Sequence, residues 1–231
     1  MVFVDGENLT IRAQCVAEAN NLALVEGRNH KRNVFYWLPS PVNTFDGTQI
    51  GDPLLPVNYW WLTDFRGAET LDSWAKRAYY YTSCPGDGMA VDEVRHALWG
   101  LKFHPEVFHK KRNEKTKAID ITLAKDLLSH AFLDNYDTCI LVAGDRDYVP
   151  VVEEVKRIGK NVWLAFLDCP EGGLSEELRL ASDYFTPLHD IILKGAKQPQ
   201  TQPFSQSQDA APVSQSTESR TEATEQQPPL S

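Results

Sequence analysis

An α/β fold, a parallel sheet with helices on both faces, is predicted by three features of the sequence. Short apolar runs alternate with segments of helical periodicity along residues 1–194. One run, Thr-Cys-Ile-Leu-Val-Ala at 138–143, is apolar enough to be covered on both faces, as a central strand of a parallel sheet is. The repeated pairing of such a run with a following helix is the pattern of βα units.

The elements follow in order. Residues 2–4 (Val-Phe-Val) read as the first strand and 8–19 as a helix. Residues 27–76 break the rhythm: they contain Asn-Val-Phe-Tyr-Trp-Leu, several prolines and Val-Asn-Tyr-Trp-Trp-Leu. A structureless loop of that length is unusual, so an insertion with its own strands or hairpin is expected. Trp37, Trp60 and Trp61 would either pack a local aromatic core or stack nucleic-acid bases. Residues 78–82 (Ala-Tyr-Tyr-Tyr-Thr) form a second strand. The next helix, 89–102, carries Val91, Val94, Leu98 and Leu101 at steps of three and four. A short third strand spans 106–109, and a helix over 119–132 aligns Leu123, Leu127 and Ala131 on one stripe. After the fourth strand, 138–143, comes a helix over 149–158, stopped by Gly159, and a fifth strand over 161–166. Residues 195–231 are rich in Gln, Ser, Thr, Pro and Glu with almost no large apolar side chains. They cannot bury enough surface to offset the entropy of ordering and are expected to be disordered.

Composition narrows the function classes. A chain of 231 residues, 42% hydrophobic, holds one well-formed core with room for a tail. It does not open on a basic segment followed by a long apolar stretch, and no window approaches about 18 consecutive apolar residues, so neither a secretory signal nor a membrane span is expected. Cys15, Cys84, Cys139 and Cys169 form no C-x-x-C pair, and the six histidines are scattered, with His104 and His109 flanking a strand. Reduced thiols, no zinc site and a cytoplasmic protein are expected. The net charge is −9, of which the tail holds −2 and the body −7. That is not the balance of a basic DNA-binding module. One basic run stands out: Lys110, Lys111, Arg112, Lys115 and Lys117 fall within eight residues. It is either a solvated loop or a contact for nucleic acid.

The residues that point to chemistry are acidic. Asp5 follows the first strand in Val-Phe-Val-Asp-Gly-Glu-Asn; Asp120 opens the helix after the third strand; Asp145 and Asp147 follow the fourth in Val-Ala-Gly-Asp-Arg-Asp-Tyr. In an open parallel sheet the carboxyl ends of the strands share one edge, and ligands bind in the crevice where strand order reverses. A single Asp after a strand is ordinarily a cap or turn residue; three strand ends carrying Asp are harder to assign to chance. Two carboxylates at about 4 Å repel by roughly 4 kcal/mol at an effective dielectric constant of about 20, so either protons or a divalent cation must balance them. Oxygen donors with few histidines suit Mg²⁺ or Mn²⁺. A cation held by Asp5, Asp120 and Asp145 would acidify a water and neutralise charge on a phosphate under attack. Asn8 is placed either to orient a carboxylate or water or to cap its helix. Asp126, rotated by about 120° from Asp120 on an ideal helix, is a supporting candidate. Lys117 reads equally as a phosphate contact or a surface lysine.

At these residues the sequence resembles the NYN domain family, including LabA-like proteins, within the PIN-like ribonuclease superfamily. The matching stretches are Phe3-Val4-Asp5-Gly6-Glu7-Asn8-Leu9, residues 115–126, and Ala143-Gly144-Asp145-Arg146-Asp147-Tyr148-Val149-Pro150. Together they extend over most of residues 1–185, leaving out 27–76 and the tail. The resemblance implies a five-stranded PIN-like sheet of order 3-2-1-4-5 and Mg²⁺- or Mn²⁺-dependent cleavage of RNA, with Asp5, Asp120, Asp145 and Asp147 in the acidic positions. Lys111, Arg112, Lys115, Lys117 and Arg146 become the candidate RNA contacts. Ala118, Ala143 and Arg146 depart from the family pattern; Arg146 would either pair with Asp145 or Asp147 or contact phosphate.

The competing reading is a catalytically inactive scaffold that keeps the fold and binds RNA or a protein, with the tail as an interaction segment and a homodimer left open. A phosphohydrolase of the haloacid dehalogenase kind ranks low, because Glu7 and Asn8 stand where its second Asp is needed. A Rossmann dehydrogenase ranks lower, because no G-x-G-x-x-G follows the first strand.

Overall fold

The computed structural model describes residues 1–24, 26–37, 77–110, 117–189 and Leu193, all within one unit, Met1–Pro199. The expected disordered tail, Trp60, Trp61 and most of the 27–76 insertion lie outside the described residues, as do Lys111, Arg112 and Lys115.

The first strand, β1 (Val2–Asp5), is buried along its whole length, which places it at the centre of the sheet. It runs straight into α1 (Gly6–Ala19). A short antiparallel hairpin, β2 (His30–Lys31) and β3 (Phe35–Tyr36), comes next. Then follow β4 (Ala78–Cys84), α2 (Gly88–Gly100), β5 (His104–His109) and α3 (Lys117–Phe132). The second half contains β6 (Thr138–Val142), α4 (Val149–Arg157), β7 (Asn161–Phe166), α5 (Glu176–Ala181) and β8 (Tyr184–Pro187).

The main sheet has the order β5-β4-β1-β6-β7-β8, and every pair in it is parallel. The five strands read from the sequence take the expected order, 3-2-1-4-5. The count requires correction: β8 adds a sixth strand beside β7, with Trp163 opposite Tyr184 and Phe166 opposite Pro187. Four residues ending in proline, at an edge where a missing N–H costs no ladder bond, give little periodic signal. Similarly, β5 begins at His104, two residues before the expected start, and tolerates Pro105 because it is the other edge.

Alternation along the strands sorts side chains into two layers. Val2 and Val4 face Leu9, Ala13 and Val16 of α1, and Val91, Val94 and Leu98 of α2. Phe3 and Leu141 face Ile119, Leu123 and Leu127 of α3, Val152 and Val155 of α4, and Leu178 of α5. The hairpin closes the first layer. The Tyr80 hydroxyl donates to the Tyr36 carbonyl at 2.8 Å and accepts the Tyr36 N–H at 3.0 Å, and Trp37, fully buried, meets Phe103 edge-on at 4.8 Å. Of the two roles open to Trp37, core packing is the one it has. All four cysteines are free. Among the described residues no helix is long and apolar enough to cross a membrane.

Candidate active site

The chain moves outward from β1 through β4 to β5, then returns to the other side of β1 for β6, β7 and β8. Strand order therefore reverses between β1 and β6, and the crevice at their carboxyl ends is where a parallel sheet offers a ligand site. Asp5 ends β1 there. Its place in the alternation directs it to the layer of α3 and α4, and it is 3% exposed.

Both oxygens of Asp5 are engaged. Oδ1 accepts the Asn8 N–H at 3.0 Å, capping α1, and Oδ2 accepts the Tyr148 hydroxyl at 3.0 Å. The same hydroxyl lies 3.4 Å from Oδ1 of Asp120, in the first turn of α3. Asp145 caps the single turn Arg146–Tyr148, its Oδ1 accepting the Asp147 N–H at 3.2 Å, and its carbonyl accepts the Tyr148 N–H at 3.3 Å. Asp5 and Asp145 thus have the local capping role common for their type, and Asp5 also meets Asp120 across one phenol.

Charges in this crevice act on one another. Burial pushes the Asp5 carboxyl up to about 7; the Asn8 N–H and Tyr148 hydroxyl pull it down, and the charges of Asp120 and Glu7 push it further up. Asp120 is also raised, first by desolvation and then by Asp145, Asp147 and Glu7, against the Tyr148 hydrogen bond. Tyr148 is pushed far up by its own burial and then by Asp5 and Asp120, so its hydroxyl remains a donor. Among the described residues no three His, Cys, Asp or Glu side chains stand close enough, as they are, to enclose a metal ion. The pair at Tyr148 and the charges around it are all oxygen donors. Mg²⁺ is commonly held by only one or two carboxylates, with waters and a substrate phosphate completing its shell, and the donor set fits that chemistry.

The other candidates separate clearly. The Asn8 side-chain oxygen accepts the Gly144 N–H at 3.2 Å; it ties α1 to the loop after β6. Asp126 accepts the hydroxyl of Tyr81, the strand neighbour of Asp5, at 3.0 Å and pairs with Lys125 at 3.1 Å. Arg146 pairs with Glu177 at 3.3 Å, so of the partners weighed from sequence neither neighbouring aspartate is the one it takes. Lys117 opens α3, and its side chain lies outside the described residues.

Four residues of the crevice are not singled out by the sequence reading. Tyr148 was read only as part of a motif, although an aromatic with a hydroxyl beside Asp147 was the available signal. Glu7 accepts the Ser83 hydroxyl at 2.9 Å and pairs with Lys110, which begins the basic run; no spacing rule joins residues so distant. The two glycines beside the aspartates are packing requirements. A Cβ on Gly6 would lie 2.0 Å from the Tyr80 ring, and one on Gly144 would lie 2.2 Å from the Phe166 ring.

A family model agrees with this frame. The family model for the NYN domain matches residues 64–190, just over half of the chain. The match takes in Asp120, Asp145 and Asp147, leaves Asp5 outside it, and reaches into the last part of the segment read from sequence as an insertion. A crystal structure of a protein of unknown function from Vibrio parahaemolyticus aligns with 82% of this chain and 92% of its own, at 19% identity and a TM-score of 0.49. No curated protein matches the chain.

Proposed function

The chain belongs to the NYN domain family and has its PIN-like, nuclease-type fold, and from that premise we propose that it is a divalent-metal-dependent ribonuclease acting at the crevice between β1 and β6. The observation that carries the proposal is the meeting of Asp5 and Asp120 on the Tyr148 hydroxyl, at 3.0 and 3.4 Å. Helix capping and turn formation do not require two carboxylates to converge on one donor, whereas a cation site brings carboxylates together.

Asp5, Asp120 and Asp145 would hold Mg²⁺ or Mn²⁺, with Asp147 adding negative charge beside them. When bound, the ion would supply an acidified water and neutralise charge on the phosphate. The protein's own work is positional. α1 and the loop after β6, the segments next to Asp5 and Asp145, are tied by the bond between Asn8 and Gly144. α3 carries Asp120 to the rim, where it is exposed to substrate. Lys110, paired with Glu7, would supply a cation for the RNA backbone, and Arg146, exposed after β6, would supply another; Lys111, Arg112, Lys115 and Lys117 are RNA contacts proposed from the sequence. RNA contacts of this kind fix register through phosphates and not through bases.

A non-catalytic RNA- or protein-binding scaffold, with the tail as a second contact, is favoured by one observation: no three acids among the described residues are gathered around a cation position. The two readings separate in one assay. With Mn²⁺, the purified protein should degrade single-stranded RNA, and Asp145→Asn should abolish cleavage while leaving the melting temperature near that of the wild type. RNA binding without cleavage, or equal residual cleavage by both proteins, would support the scaffold.

A further inference from the structure

We infer that Tyr148 is a positioning residue that sets Asp5 and Asp120 for a divalent cation. The inference rests on the metal-dependent reading above and adds to it a role for a side chain that need not touch the ion or the RNA.

One residue contacts all three proposed ligands. The Tyr148 N–H bonds the Asp145 carbonyl at 3.3 Å, and its hydroxyl lies 3.0 Å from Asp5 and 3.4 Å from Asp120. The ring cannot drift, because it is 2% exposed and packed in the layer of Ile119, Leu123 and Val152. The hydroxyl has a single proton for two carboxylates. It can bridge them, yet it cannot neutralise the pair, a task left to a proton on Asp5 or to a cation. Each carboxylate oxygen carries two lone pairs, so donation from Tyr148 leaves capacity for a metal on Asp5 and leaves Oδ2 of Asp120 without a bond from the phenol. Outer hydrogen bonds of this kind orient metal ligands, and their loss commonly weakens metal binding by about 10- to 100-fold.

Tyr148→Phe keeps the ring and removes only the hydroxyl. Mn²⁺ affinity, measured by calorimetry on the full chain, should fall by about 10-fold. The half-saturating Mn²⁺ concentration for RNA cleavage should rise by the same factor, while the rate at saturating Mn²⁺ returns to within about threefold of the wild type. A proton donor in the reaction would show the reverse: a lower maximal rate with the Mn²⁺ dependence unchanged. Each variant's metal-free melting temperature serves as its own reference, which separates lost stability from lost affinity. In an Asp120→Asn background the further loss from Tyr148→Phe should shrink, since partners in one network are not additive. If the wild type binds and uses Mn²⁺ and Tyr148→Phe binds it within twofold as tightly, the positioning role is wrong and the ribonuclease reading stands. If the wild type binds no Mn²⁺, both fall together.

Discussion

The side-chain oxygen of Asn8 accepts a hydrogen bond from the backbone N–H of Gly144 at 3.2 Å, joining segments 136 residues apart. This bond spans the point where the sheet reverses direction and sets the spacing of the two loops that carry Asp5 and Asp145. Asn8→Ala should destabilise the protein by about 1 kcal/mol, the ordinary net worth of such a bond, and weaken Mn²⁺ binding. Asn8→Asp, which retains an acceptor for Gly144, should recover most of the stability. Denaturant titration of both variants checks this; equal losses would show that the bond itself contributes little.

Close packing beside the aspartates gives a second prediction. A methyl group on Gly144 meets the Phe166 ring at 2.2 Å, so either the ring or the loop carrying Asp145 must shift. Gly144→Ala should cost about 1–3 kcal/mol, as overpacking does, and should lower cleavage more than stability alone explains. Pairing it with Phe166→Leu should return part of both. A Gly144→Ala protein with unchanged stability would mean that the ring has room to move.

The pH dependence of stability follows from Asp5. Its carboxyl is raised to about 7, chiefly by burial, so between about pH 4 and pH 7 the folded state holds a proton that the unfolded state has released. Stability from this group therefore falls as pH rises through that window and is level above it, a difference of up to about 4 kcal/mol by linkage. Asp5→Asn should melt above the wild type at pH 8, with the gap closing by pH 4. Mn²⁺ should narrow the gap at pH 8 by stabilising the ionised wild type. A gap independent of pH would contradict this.

Lys110 and Glu7 give a fourth. Lys110 neutralises a carboxylate that adds to the negative field on both Asp5 and Asp120. Lys110→Ala should tighten Mn²⁺ binding by about threefold, within the range of a partly exposed pair, and weaken RNA binding several-fold. Calorimetry with Mn²⁺ and anisotropy with labelled RNA read the two effects separately. A loss of Mn²⁺ affinity would show that the pair organises the site instead of tempering it.

How far the sequence could be read depended on the kind of signal. β6 was legible because a buried parallel strand needs an unbroken apolar run, and α3 because Leu123, Leu127 and Ala131 recur at helical spacing. α5 and β8 were not, being six and four residues long and held mainly by neighbours. Such neighbours include the Val162 N–H on the Asp183 carboxylate at 2.8 Å and the Trp163 indole on Thr186 at 2.8 Å. In the crevice, aspartates at strand ends could be recognised because parallel topology itself collects strand ends. The phenol between them could not: which carboxylates Tyr148 touches depends on the turn Arg146–Tyr148 and the packing of α3 against α4, and neither is set by local spacing. Asp126 could be placed only by helical rotation from Asp120, and its bond from Tyr81, the strand neighbour of Asp5, is a long-range contact that no local spacing sets.

The most direct test is a Mn²⁺ soak of crystals of the full chain, recorded at a wavelength where manganese scatters anomalously. An ion in the β1–β6 crevice, about 2.1 Å from oxygens of Asp5 and Asp120 and lost in Asp120→Asn, is the predicted result. An empty crevice at millimolar Mn²⁺, or an ion bound only elsewhere, would contradict it.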